Sequence, residues 1–295
     1  MKLRERKIIV WPLLLIFLLI VSAVIFNDIR ATKSKMPISA GIIQENFNSD
    51  NSQQIADNRN INTNNNDDIN SFADNRQLTT DNLSLPIIMY HHIRDFNDPN
   101  DQIGTNLSLS PTDFAKQLDL IIERGYTTIN FQNILENNIP SKSVILTFDD
   151  GYENFYQNAY PELKKRNMKA ISYVIVNNIG KGNYMNREQI IEIEQNGIEI
   201  GSHTLSHPDL AISSDTKATK EIVDSKAYLE SLVGKKIISI CYPSGKHSSA
   251  TEDIIQNAGY IFAVTTKSGI AAFANPFILN RYRVNNGTSI SAWVK

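Results

Sequence analysis

Hydrophobic positions are spread unevenly along the chain, and the unevenness divides it into parts. Ile8 to Phe26 runs without a charge. As a helix, about 19 such residues would span roughly 28 Å, close to the hydrocarbon thickness of a bilayer. From Asn27 to Ser84 the chain is crowded with Asn, Asp, Ser and Gln, and apolar residues follow no sustained period. Such a stretch cannot bury enough apolar surface to offset its ordering entropy, which predicts a solvated tether. From Leu85 onward short apolar runs alternate with amphipathic ones, the pattern of repeated strand-then-helix units.

Within that last part the pattern predicts strands at 86–90, 143–148, 171–176, 198–201, 236–241, 260–265 and 278–284. Helices are predicted at 110–124, 152–167, 186–195, 215–232 and 251–257. Ser110-Pro111 reads as an N-cap followed by proline at the first helical position. Pro161 predicts a kink or break in the second helix. Alternating β and α units point to a parallel sheet covered by helices, open or closed as a barrel. No internal repeat is visible.

Charge sets the orientation of the first part. Met1 to Lys7 holds Lys2, Arg4, Arg6 and Lys7 against Glu5, and basic residues before a span favour a cytoplasmic N-terminus. The expected organisation is a basic tail at 1–7, a signal-anchor at 8–26, a linker at 27–84 and a catalytic unit at 85–295 outside the membrane. A cleaved signal peptide is the competing reading, with Val21-Ser22-Ala23 as a weak cleavage site. The apolar run continues past that site, which favours retention. Net charge is −2, which gives no reason to expect a nucleic-acid partner, because binding phosphates needs a concentrated basic face. The lone cysteine, Cys241, allows no internal disulfide, and a monomer is the expected form.

Three clusters fall at the ends of predicted strands, where α/β enzymes place their sites. The first is Thr147-Phe148-Asp149-Asp150-Gly151-Tyr152. Adjacent carboxylates after an apolar strand repel each other and lose hydration, so they need a cation or a shared proton. One could bind a metal while the other abstracts a proton; a plain helix N-cap is the simpler alternative. The second is His203-Thr204-Leu205-Ser206-His207. Imidazoles four apart can share a metal, although two surface histidines would show the same spacing. Two His and one Asp, with positions left open, form a familiar catalytic zinc set suited to hydrolysing an amide or ester. The third is Cys241-Tyr242-Pro243-Ser244-Gly245, a loop able to aim a backbone N–H at an oxyanion or to serve only as a turn.

Together these segments resemble the NodB-homology polysaccharide deacetylases, carbohydrate esterase family four, over about Leu85 to Thr288. The resemblance implies a deformed (β/α) barrel and removal of N- or O-acetyl groups from sugars. It implies Asp149 as catalytic base and Asp150, His203 and His207 as ligands of a divalent metal. Zinc is the default; cobalt, nickel or manganese suit the same ligands. Thr204 or Ser206 would support the ligands from behind, and the Ser244 N–H would be the oxyanion donor. Tyr152, Tyr242, Pro243 and Arg281 are carried as substrate-binding candidates. Cys241 stands where the family commonly has an arginine that supports the base, and Arg281 is a candidate replacement.

Met89-Tyr90-His91-His92 lies more than fifty residues before the acidic pair. That layout is similar to the branch acting on poly-β-1,6-N-acetylglucosamine, and makes His91 a proton donor or substrate contact and His92 peripheral. His247 is expected at the surface. Cys241 reads as a small buried hydrophobe, not a nucleophile. The expected function is N-deacetylation of an extracellular N-acetylglucosamine polymer. Peptidoglycan is the rival substrate. A glycan-binding protein on a decayed scaffold is the non-enzymatic rival. A non-haem iron oxygenase also uses two His and a carboxylate, but an extracellular site is poorly supplied with reducing cosubstrate.

Overall fold

The structure, a computed structural model, describes residues 82–295. The apolar run at 8–26 and the linker up to residue 81 lie outside the described residues. Among the described residues, no helix is long and apolar enough to cross a membrane.

The described chain forms, in order, β1 (Ser84–Leu85), β2 (Ile87–Tyr90), β3 (His92–Ile93), α1 (Gln102–Asn106), β4 (Ser108–Leu109) and α2 (Pro111–Glu123). There follow β5 (Thr127–Ile129), α3 (Phe131–Leu135), β6 (Ser143–Phe148), a π-helical turn (Phe155–Ala159), α4 (Tyr160–Lys165) and β7 (Ala170–Val174). The rest is α5 (Arg187–Gln195), β8 (Ile198–Ser202), α6 (Asp215–Val233), β9 (Ser239–Cys241), α7 (Ser249–Asn257), β10 (Phe262–Val264), β11 (Ala271–Ala272) and β12 (Tyr282–Arg283).

The main sheet runs β10-β9-β8-β7-β6-β2-β12, with β5 also paired to β6, and every pairing in it is parallel. Closure depends on one segment. Leu279 bridges to Val264 on β10, and three residues later β12 pairs with β2. The sheet thus becomes a deformed (β/α) barrel. The strand expected over 278–284 is interrupted between those two pairings. There the Arg281 backbone N–H turns to the Lys267 carbonyl (2.9 Å) and its side chain enters the barrel.

β6 shows how the sequence builds two layers. All six of its residues are buried. Successive side chains point to opposite faces. Val144, Leu146 and Phe148 join the apolar layer under the helices, with Phe114 and Leu118 of α2. Ile145 points the other way, into the barrel, with Ile87, Ile171, Tyr173 and Cys241. Thr147 and then Asp149 continue along that inner row.

The helix ends follow their capping residues. Ser110 accepts from the Asp113 N–H at 3.0 Å with Pro111 at the first position, as expected; such a cap is worth about 1 kcal/mol. The helix expected over 152–167 is divided: a π-helical turn precedes α4, whose first turn holds Pro161. Proline has no N–H to give and crowds the carbonyl four residues back, which favours a wider turn there. Ser84 lies in β1, paired with Ala272 of β11, so regular backbone begins one residue inside the expected linker. The short elements α1, α3, β3, β4 and β5 were not legible as periods, being five residues or fewer.

Candidate active site

The acidic pair sits where β6 ends. Asp150 and Gly151 both adopt left-handed backbone, at φ 75° and 78°. That sharp turn directs the two neighbouring carboxylates to different partners. Asp150 Oδ1 lies 3.4 Å from His203 Nε2 and 3.8 Å from His207 Nε2. Donors about 2.1 Å from a tetrahedral ion stand about 3.4 Å apart, so this triad fits a divalent metal. His203 Nδ1 is 2.7 Å from the Cys241 carbonyl and donates to it, which fixes the tautomer and frees Nε2.

The histidine loop is held from behind. Thr204 and His207 have φ of 66° and 59°. Thr204 Oγ1 accepts from the His207 N–H at 3.0 Å. Ser206 gives its N–H and hydroxyl to the two oxygens of Glu221, at 2.8 and 2.5 Å. Glu221 escapes a motif-based reading. Its signal was a charge inside the apolar stripe of α6, between Ala218 and Ile222, Ser225 and Leu229.

Asp149 faces a different set. Arg281 grips it with both guanidinium branches, at 2.7 Å to Oδ1 and 2.8 Å to Oδ2. The same guanidinium donates to Thr147 Oγ1 and the Thr265 carbonyl and lies 3.1 Å from Cys241 Sγ. Burial raises the Asp149 carboxyl, but the Arg281 charge and its two hydrogen bonds, with a lesser contribution from His203, more than reverse this and hold it well below the usual carboxylate range. Arg281 is fully buried. Its substrate-binding assignment is therefore corrected: it lies beneath the base and no sugar can reach it. Its position instead supports the base that the arginine at position 241 would have supported. Cys241 is small enough to leave that space, and burial pushes its thiol up, away from thiolate.

Asp149, His203 and Cys241 also come close enough to suggest a second ion site. Arg281 occupies both oxygens of Asp149, and a guanidinium in that position would repel an ion.

His91 Nε2 lies 3.8 Å from Asp149 Oδ2. Burial lowers its pKa, Asp149 and Asp150 partly oppose this, and Arg283 and Arg281 lower it further, so the ring is neutral at rest. Both carboxylates and all three imidazoles line a cleft of about 420 Å³. Ser244 lines it too, at φ 54°. The turn there is closed by the Gly245 and Lys246 N–H groups, which leaves Ser244's N–H out of both bonds. The turn also lies tight on Thr266: a Cβ on Gly245 would meet Thr266 Oγ1 at 2.2 Å.

Tyr152 lines the cleft, stacked between His92 and Tyr184 with centroids 3.6 and 5.0 Å away. His92 is thus a buried support for Tyr152, bonded to Asn154, and not peripheral. Tyr242 and Pro243 are corrected as substrate contacts. Both are buried outside the cleft, and the Tyr242 hydroxyl donates to the Phe277 carbonyl. His247 is partly buried, stacked on Tyr242 and paired with Glu252 at 2.8 Å. Tyr184, Arg283 and Ile103 of α1 are among the other residues of the wall and carried no motif. A second cavity, about 400 Å³, opens beside the starts of β8 and β9. Its acids have structural partners: Glu194 pairs with Lys235, and Glu199 accepts the Gln132 N–H of α3.

The polysaccharide deacetylase profile matches residues 136–263, which carry the acidic pair, both histidines and the Ser244 loop. The Bacillus subtilis (strain 168) protein YxkH, which carries a polysaccharide deacetylase name, is 34% identical over 215 residues, 71% of this chain and 74% of that protein. This chain belongs to the polysaccharide deacetylase family. It is accordingly a hydrolase of a metal-dependent family, and the triad fits that dependence. The deacetylase fold matches the Streptococcus pyogenes deacetylase PplD, solved with acetate, at a TM-score of 0.68 and 34% identity, over 72% of this chain and 99% of that one. The deacetylase is also 25% identical to the poly-β-1,6-N-acetyl-D-glucosamine N-deacetylase of Staphylococcus aureus (strain MRSA252), over 67% of this chain and 77% of that protein.

Proposed function

We propose that this deacetylase removes N-acetyl groups from an N-acetylglucosamine polymer outside the membrane, and that the polymer is poly-β-1,6-N-acetylglucosamine. One observation carries the reaction: Asp149 and the Asp150, His203 and His207 triad face a single cleft, with His91 3.8 Å from the base. The polymer is supported by the Staphylococcus aureus relative and by the early Tyr90-His91 strand. The location is supported by the basic tail and the uncharged run at 8–26, which would hold the catalytic unit on the outer face.

A divalent ion at the triad supplies Lewis acidity toward the acetyl carbonyl and the attacking water; zinc suits two imidazoles and a carboxylate. Asp149 takes the proton from that water. Arg281 keeps the carboxylate ionised and aimed. The free Ser244 N–H would donate to the oxyanion as the carbonyl becomes tetrahedral. His91 is neutral at rest, so it first receives the proton that Asp149 gained and then delivers it to the departing nitrogen. Acetate and a free amine leave.

The deciding assay is acetate release from poly-β-1,6-N-acetylglucosamine and from peptidoglycan, each with and without a chelator. Chelator-sensitive release from the first polymer is expected. Release from peptidoglycan alone would move the assignment to that substrate. Asp149→Asn should lose activity by a factor of about a thousand or more yet keep its metal. His203→Ala should lose both, as judged by metal content. Turnover retained in Asp149→Asn would exclude it as the base.

A further inference from the structure

Arg281 and Arg283 stand two residues apart on the segment that closes the barrel, and extended backbone turns such residues to one face. The first is buried beneath Asp149; the second comes out at the cleft wall and is exposed. Strand pairing sets Arg283 beside Met89, two residues before His91, and its charge is felt at His91. Among the described residues its guanidinium has no carboxylate or hydrogen-bond partner. The acids of the cleft are committed: Asp149 gives both oxygens to Arg281, and Asp150 belongs to the metal triad. A single guanidinium without converging donors is a poor cradle for an anion. Its field nevertheless reaches several ångströms into a partly enclosed cleft.

We infer that Arg283 makes the cleft discriminate against sugars that already carry a free amine, so that deacetylation limits itself. This rests on the N-acetylglucosamine polymer proposed above. Each turnover converts a neutral unit into a cationic glucosaminium. A stretch of acetylated polymer enters without charge, whereas a stretch with a product unit beside the next acetyl group brings a cation toward Arg283. Like unit charges several ångströms apart at a partly exposed site change binding by about tenfold. The product would then keep dispersed acetyl groups and lack fully stripped runs.

The test compares kcat/KM on two tetramers, one fully acetylated and one with a glucosamine beside the acetyl group to be removed. It is run in both the β-1,6 and the β-1,4 series. The wild-type enzyme should prefer the fully acetylated tetramer by about tenfold, less at high ionic strength. That ratio should fall toward one in Arg283→Gln, invert in Arg283→Glu and persist in Arg283→Lys. An equal ratio in wild type and Arg283→Gln overturns the inference. Calorimetric binding of the fully deacetylated tetramer gives a readout without turnover. It should be tighter to Arg283→Glu than to wild type, and equal affinities count against the role. Turnover confined to the β-1,4 series would sink the polymer assignment while still measuring the charge preference.

Discussion

At the scale of single residues, the site is governed by who partners each charge. Asp149 is buried, and its ionisation depends on Arg281. Removing one member of such a pair typically costs about 3–5 kcal/mol. Arg281→Met should therefore melt well below the wild type at neutral pH. The sign with pH follows from the shifts. In the wild type the native carboxyl lies below its ordinary value of 3.8, so its stabilisation is complete above that value and is lost as acid takes pH through the lower native one. In Arg281→Met burial would be opposed only by the lesser influence of His203, the carboxyl would rise, and the stability deficit should shrink as pH falls. Thermal melts across pH measure this, and a deficit independent of pH would contradict it. Arg281→Lys keeps the charge but loses the two-branched grip, and should retain a folded protein of reduced activity. His203 makes a second prediction. Burial lowers its pKa, while the carboxylates of Asp150 and Asp149 beside it raise it, and the net direction is upward. Without an ion these carboxylates favour the charged ring. Metal uptake should release protons and strengthen as pH rises through and above neutrality; calorimetry in buffers of different ionisation enthalpy would count them.

Elements position those residues, and a supporting element can fail without touching the metal. Glu221 belongs to α6 yet holds the Ser206 end of the histidine loop through two hydrogen bonds. Glu221→Ala should weaken metal affinity by about 10–100-fold, the usual cost of losing a group that orients ligands. Glu221→Gln keeps one acceptor and should fall between. Metal titration followed by competition with a chelator reads this, and unchanged affinity in Glu221→Ala would remove the loop-anchoring role. The elements themselves show where sequence patterns succeed. α2, α5 and α6 are long, capped and periodic, and their observed ends lie within a residue of those expected. The 278–284 stretch reads as one strand because periodicity does not record the inward turn of Arg281.

For the whole molecule, closure of the barrel and support of the base are the same structural event. The segment that links β10 to β2 is also the one that delivers Arg281. Ending the chain at Asn275 should expose both strand edges and leave Asp149 buried without its partner. No cooperative melt and no acetate release are expected from that variant, and a folded product would show that closure is dispensable. Motifs made Asp149, Asp150, His203 and His207 legible, since chemistry of that kind needs fixed residue types at short spacing along one strand end or loop. Helix limits were legible through caps and periods, which are local. The match between a small Cys241 and a distant Arg281 was not, nor was the exposure of Arg283 or the burial of Tyr242. Those depend on which side chains meet across a closed sheet, at separations of 40 residues for Arg281 and Cys241 and 132 for Arg281 and Asp149. Local preference fixes backbone conformation and side-chain identity; only packing decides which distant charge ends up beside a buried carboxylate.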